Sequence, residues 1–143
     1  MRDNGSTPFT HSAFLYDGPA QYAGFLVPFI CEGLERGESV AVAADRRRTA
    51  LLREALGDDA AAVRFLPADE WYVRPVRTIA GWAQMLRAAD AAGRPAARLV
   101  GEVDFHGDHR SWVRFEAALN AALTGPGHLV CPYDRSRLPG HLV

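Results

Sequence analysis

Apolar residues along this chain fall into short continuous runs that alternate with stripes of helical period. His11 to Tyr16 (HSAFLY), Ser39 to Ala44 (SVAVAA), Val63 to Leu66, Ala97 to Phe105 (ARLVGEVDF) and His128 to Tyr133 (HLVCPY) read as strands. Between the first two, Tyr22, Phe25, Leu26, Phe29, Ile30 and Leu34 recur at spacings of three and four, which predicts a helix. Asp17 is placed to cap it, Pro19 falls near its first turn, and Pro28 inside it predicts a kink. A second helix starts at Asp45, runs through Leu51, Leu52 and Leu56, and ends at Gly57-Asp58-Asp59. Residues 67–70 read as a polar loop before Trp71-Tyr72. A third helix spans Pro75 to about Ala92, with Ile79, Trp82, Met85, Leu86 and Ala89 on one side. A fourth follows the turn at 107–109 and carries Trp112, Phe115, Leu119 and Leu123.

The order is βαβαβαβαβ, and the strands are continuously apolar rather than alternating. Strands buried on both faces belong to a parallel sheet covered by helices. The predicted fold is therefore α/β, three-layered, with a mostly parallel five-stranded sheet. It resembles P-loop and Rossmann architectures without their phosphate loop. One domain is expected over residues 9–138, after a disordered polar lead-in at 1–8. Residues 139–143 end on Leu142-Val143 with no polar tail, which predicts that the natural polypeptide continues.

Charge and composition narrow the chemistry. The formal net charge is −1, so no global basic field draws nucleic acid or an anionic membrane. All 16 basic residues are arginine. Without lysine, the P-loop lysine, the Schiff-base lysine and the lysine general base are all excluded. The turn Tyr16-Asp17-Gly18-Pro19-Ala20-Gln21 matches neither GxxxxGK[ST] nor GxGxxG, so no glycine cradle waits for phosphates. Cys31 and Cys131 form no CxxC pair and read as reduced thiols. With no apolar leader and no run of about 18 apolar residues, the expected location is the cytoplasm.

In an open parallel sheet, ligands bind beyond the carboxyl ends of the strands. Those ends carry Tyr16-Asp17, Asp45, Asp69 to Tyr72, Glu102 to His106, and Tyr133 to Arg135. Glu102, if it faces a pocket, needs an arginine or a tyrosine hydroxyl, since an unpaired buried carboxylate is costly. The cluster from Glu102 to His109 holds enough carboxylate and imidazole for a metal, with Glu102, His106 and His109 as candidate ligands. No HExxH or distant ligand pair supports it, and a strand-end loop with a helix cap explains the same residues. No serine sits in GxSxG, and Cys131 precedes a proline in an apolar strand. No cofactor is expected.

Several motifs together resemble the MEDS family, a sensory domain of methanogens, methylotrophs and a dichloromethane-responsive regulator. They are H-x-x-F-x-Y (His11, Phe14, Tyr16), G-L-x-x-G-E (Gly33, Leu34, Gly37, Glu38), Trp71-Tyr72, R-L-V-G-E (Arg98 to Glu102), F-E-x-x-L-N (Phe115, Glu116, Leu119, Asn120) and L-V-C-P-Y-D (Leu129 to Asp134). The resemblance implies a bacterial signal-transduction input domain, not an enzyme, that binds a small hydrocarbon-derived molecule. It implies ligand contacts at His11, Tyr16, Tyr72, Arg98, Glu102, Cys131, Tyr133 and Asp134. It also implies an attached or partner output module, such as a histidine-kinase-like ATPase or a DNA-binding module, and leaves a homodimer open. Direct contact with nucleic acid or membrane is not expected. Two alternatives stand beside this reading: a protein-interaction module with a vestigial pocket, and a metal-dependent enzyme built on Glu102, His106 and His109.

Overall fold

A computed structural model describes residues 9–102 and 109–137, with backbone only at positions 109–113, 116 and 120. Five strands, β1 (Phe9–Tyr16), β2 (Ser39–Ala44), β3 (Arg64–Pro67), β4 (Ala97–Gly101) and β5 (Gly127–Asp134), alternate with helices. The helices are α1 (Gly18–Glu35), α2 (Arg46–Leu56), α3 (Ala68–Trp71), α4 (Pro75–Ala91) and α5 (His109–Ala122). All four strand pairings are parallel, in the order β1-β5-β4-β2-β3. The first strand thus lies at an edge, whereas a Rossmann sheet keeps it central.

Handedness then assigns the faces. From β1 to β2 and from β2 to β3 the chain steps one way across the sheet, and from β3 to β4 to β5 it steps back. Right-handed crossovers put the first two connections on one face and the last two on the other. The packing follows suit. Tyr22, Leu26 and Ile30 of α1 and Leu52 and Leu56 of α2 cover Val40, Val42, Val100 and Val130. Trp82, Leu86 and Ala89 of α4 and Phe115 and Leu119 of α5 cover Ala41, Ala43, Leu99, Leu129 and Cys131. Each fully buried large side chain contributes about 1.5–3 kcal/mol, so the two cores flanking one apolar sheet carry the fold.

Local details depart from expectation where polar residues fold. Asp17 occupies the N-cap position of α1, but its side chain makes no capping bond; its backbone N–H donates to Gln21 Oε1 at 2.8 Å instead. Helix α1 continues through Pro28 to Glu35. Helix α2 ends at Leu56 with Gly57 as its C-cap, as expected, and a 3-10 turn over Gly57–Ala62 follows. Residues 68–70, read as part of a loop at 67–70, form one helical turn with Trp71. Thr78 Oγ1 donates to the carbonyls of Trp71 (2.8 Å) and Arg74 (3.1 Å), which ties that turn to the start of α4. The lead-in 1–8, the end of the fourth predicted strand at 103–105, and residues 138–143 lie outside the described residues. No helix among the described residues is long and apolar enough to cross a membrane.

Candidate functional site

The reversal of chain direction leaves β2 and β4 as neighbours whose onward connections depart to opposite faces. Such a switch opens a crevice beyond the strand ends. Its walls come from short-range sequence. Asp45, just past β2, caps α2 by accepting from the Arg48 N–H at 2.8 Å, which fixes Arg48 in the first turn. Glu102 follows β4, Tyr16 ends β1 and Asp134 ends β5.

Arg48 draws these ends together. Its NH1 donates to Asp45 Oδ2 at 2.6 Å, its NH2 to Asp134 Oδ2 at 2.7 Å and its Nε to the Tyr16 hydroxyl at 2.6 Å. Tyr16 passes the chain on by donating to Glu102 Oε2 at 2.5 Å. Arg48 Nε also lies 3.1 Å from Glu102 Oε1, a charge contact without hydrogen-bond geometry. One guanidinium thus ties the ends of three strands to the first turn of α2. The Glu102 carboxylate is held by both an arginine and a tyrosine.

Electrostatics at this cluster are contested. Burial raises the Glu102 carboxyl to about 7, against the pull of the Tyr16 hydroxyl and the Arg48 charge; Asp45 adds to the rise and Arg137 opposes it. Burial likewise raises the Tyr16 phenol, helped by Glu102 and opposed by Arg48. For Arg48, burial disfavours the charge, but Glu102, Tyr16 and Asp45 outweigh it and hold the cation more firmly. Asp134 is lowered: burial works the other way, but two hydrogen bonds from Ser136 and the charges of Arg48 and Arg137 prevail.

Beside this cluster lies a cleft of about 960 Å³. Gly18, Pro19 and Tyr22 of α1 form one wall, and Arg47, Arg48, Ala50, Leu51 and Glu54 of α2 the other. Tyr16, Asp45, Asp134, Ser136 and Arg137 complete it. Apolar surface from Pro19 and Leu51 thus meets a cluster of hydrogen-bonding groups, the usual composition of a small-molecule site.

Of the residues singled out from sequence, the structure brings Tyr16, Glu102 and Asp134 together here. Arg98 shares their face but sits near the start of β4. There it donates to Glu38 Oε1 at 2.6 Å and to the Phe29 carbonyl at 2.9 Å, with Glu32 Oε1 at 3.3 Å. Gly33 makes room for it: a Cβ there would lie 2.6 Å from Arg98 Cδ. His128 stands nearby, 2.8 Å from Ser12 Oγ; burial, Arg98 and His11 lower its pKa.

His11, Tyr72, Cys131 and Tyr133 belong to the opposite face. His11 Nε2 is 3.3 Å from Cys131 Sγ, and Tyr72 and Tyr133 pack on the core under α4 and α5. The sheet separates these four from Tyr16. His106 lies outside the described residues, and His109 is described only as backbone in α5. Among the described residues, no group of three histidine, cysteine or acidic side chains is placed to hold a metal ion. Sequence reasoning missed Arg48 and Tyr22. The signal for Arg48 was the cap at Asp45, which aims the third residue of the helix back over the strand ends.

A family model matches residues 10–143, and its description is "MEDS: MEthanogen/methylotroph, DcmR Sensory domain". No curated protein and no solved structure matches the chain.

Proposed function

The chain belongs to the MEDS family of sensory domains, and on that premise we propose that it is a bacterial signalling input domain that binds a small organic molecule in the Arg48 cleft. Its role is recognition and relay, not catalysis. The observation that carries this reading is the position of Arg48. It lines the cleft and at the same time bonds Asp45, Tyr16 and Asp134. A ligand that takes a hydrogen bond from an N–H left over on this guanidinium pulls on the side chain that holds those partners, and each partner belongs to a different element. Binding is thereby converted into a shift between α2 and the end of β5. An output module, attached or separate and of the histidine-kinase-like ATPase or DNA-binding kind, reads that shift. The ligand is hydrocarbon-derived, with an apolar body against Pro19 and Leu51 and a polar tip at the cluster.

A thermal-shift screen of short alcohols, ketones, halogenated alkanes and aromatic acids tests this reading. A true ligand raises the melting temperature in a saturable way by mass action. Ala50→Trp fills the cleft from an exposed position and should abolish the shift, while Tyr133→Phe, on the other face, should leave it intact. The reverse pattern would move the site across the sheet. A screen that stabilises nothing would favour the interaction-module reading instead.

A further inference from the structure

The sheet has two edges, and they are finished differently. Strand β3 is four residues long, opens on the exposed Arg64 and closes on the exposed Pro67. Shortness, charge and proline are the usual means of keeping a sheet edge from pairing with another chain. Strand β1 has none of them. It runs for eight residues with no proline, no arginine and no acid, and among the described residues it pairs with β5 alone. Thr10, Ala13 and Leu15 are exposed along it. Such an edge presents a row of backbone N–H and C=O groups that a further strand can take up.

Apolar surface continues from this edge on both faces. On the α1 side Phe14 stacks on Phe25 at 4.2 Å, Phe29 follows Phe25 at 6.5 Å, and Phe25 stays 43% exposed. On the other side, by alternation along the strand, stands Leu15, 40% exposed. An identical strand meets the requirements of such an edge. Two copies of β1 related by a two-fold axis perpendicular to the sheet run antiparallel, and residues that oppose each other point to the same face. No charged side chain of β1 then opposes another, because the strand carries none. A strip about 27 Å long and about 20 Å wide, one sheet and one helix layer across, covers about 500 Å² on each copy. The total of about 1,000 Å² reaches the lower limit for a specific interface.

We propose that β1 is a dimerisation edge, to which a second copy of this chain adds its own β1 antiparallel. The two five-stranded sheets become one, and the Phe14–Phe25 pairs of the two copies come together on one face. Strand β1 also delivers Tyr16 to the Arg48 cluster, so each cleft begins where the interface ends. The interface itself does not depend on what the cleft binds.

Sedimentation velocity from about 5 to about 500 micromolar, a range suited to a small and reversible interface, tests this together with amide hydrogen exchange. A monomer–dimer equilibrium is expected. Amides within residues 10–15 should exchange about tenfold more slowly at the top of the range than at the bottom, because pairing protects them. Ala13→Lys sets like charges beside the axis, and Phe25→Asp puts a charge on the aromatic ridge. Each should weaken the dimer about tenfold or more while the circular dichroism spectrum stays that of the wild type. Val76→Asp, at an apolar position of α4 that is 78% exposed, should leave the dimer intact. A chain that stays monomeric throughout overturns the proposal. So does a dimer that Val76→Asp dissolves and Phe25→Asp spares, or one whose β1 amides exchange alike at both concentrations. Assemblies that grow beyond two copies overturn it as well, since a two-fold pairing uses up the edge. Should Ala13→Lys fail to fold, Phe25→Asp decides, because Phe25 is a surface position of α1.

Discussion

Replacing Glu102 with glutamine sets burial against hydrogen bonding in a single measurement. The Glu102 side chain is 11% exposed, and burial lifts its carboxyl from 4.5 to about 7 despite Tyr16 and Arg48. A raised folded-state pKa means that the folded protein binds the proton more tightly than the unfolded chain. The resulting stability is fully present below pH 4.5 and is lost as pH rises through about 7. The shift corresponds to about 3 kcal/mol. Glutamine, of the same shape and always neutral, keeps that stability at every pH. Urea unfolding of both proteins at pH 5, 6, 7 and 8, read by tryptophan fluorescence, should therefore show Glu102→Gln gaining on the wild type as pH rises. Most of the gain should fall between pH 5 and 8. A difference that stays flat, or a wild type that gains on the variant as pH rises, would refute the reasoning. Tyr16 and Arg48 would then outrank burial, and Glu102 would be a settled carboxylate.

Substitutions at two further positions probe the arginine anchors of this face. Arg48→Ala leaves Glu102, Asp45 and Asp134 facing one another without their common cation, and should cost about 3–5 kcal/mol. Arg48→Lys should recover less than half of that, because one ammonium cannot span the three partners of the guanidinium; a loss below about 1 kcal/mol in the alanine variant would mark the network as no stronger than a surface pair. Gly33→Ala sets a Cβ 2.6 Å from Arg98 Cδ and 3.1 Å from Val40, an overpacking of about 1–3 kcal/mol. That exceeds the gain of about 0.5–1 kcal/mol from removing a helical glycine. A lower melting temperature is expected, and a higher one would show that the Arg98 arm yields freely.

The layers were legible because they are written in local periodicity. SVAVAA and ARLVG admit no solvent-facing side, and the stripe from Tyr22 to Ile30 admits only one apolar face. Strand ends were legible for the same reason, so Tyr16, Glu102 and Asp134 were correctly placed at one rim. The face each residue takes was not legible across strands. Parity within β4 puts Arg98, Val100 and Glu102 on one side, but whether Tyr133 or Asp134 joins them depends on the register of β5 against β4. That register comes from pairing over a distance. His11 and Tyr16 already differ in parity, so the sheet had to divide them. Arg48 was hidden for another reason: it is one of three consecutive arginines, and only its place in the first turn of α2 makes it the one that reaches the strand ends.

Strand β1 makes all its ladder contacts with β5, so Phe9 pairs with Gly127 and Tyr16 with Asp134. A nascent chain therefore releases its first strand long before the partner for that strand exists. Closing so large a loop makes this pairing the entropically costly one and sets it late in folding. Until it closes, α1 has no strand edge to anchor its start, and Phe14 and Phe25, stacked at 4.2 Å in the finished domain, are left to find other apolar surface. Tyr16 and Asp134 meet only in that last step. A fragment shortened before β5 would thus lack Asp134, Ser136 and Arg137 of the cleft while keeping the β2–β3–β4 centre able to form, and the ribosome must finish the fifth strand before Arg48 can meet all its partners.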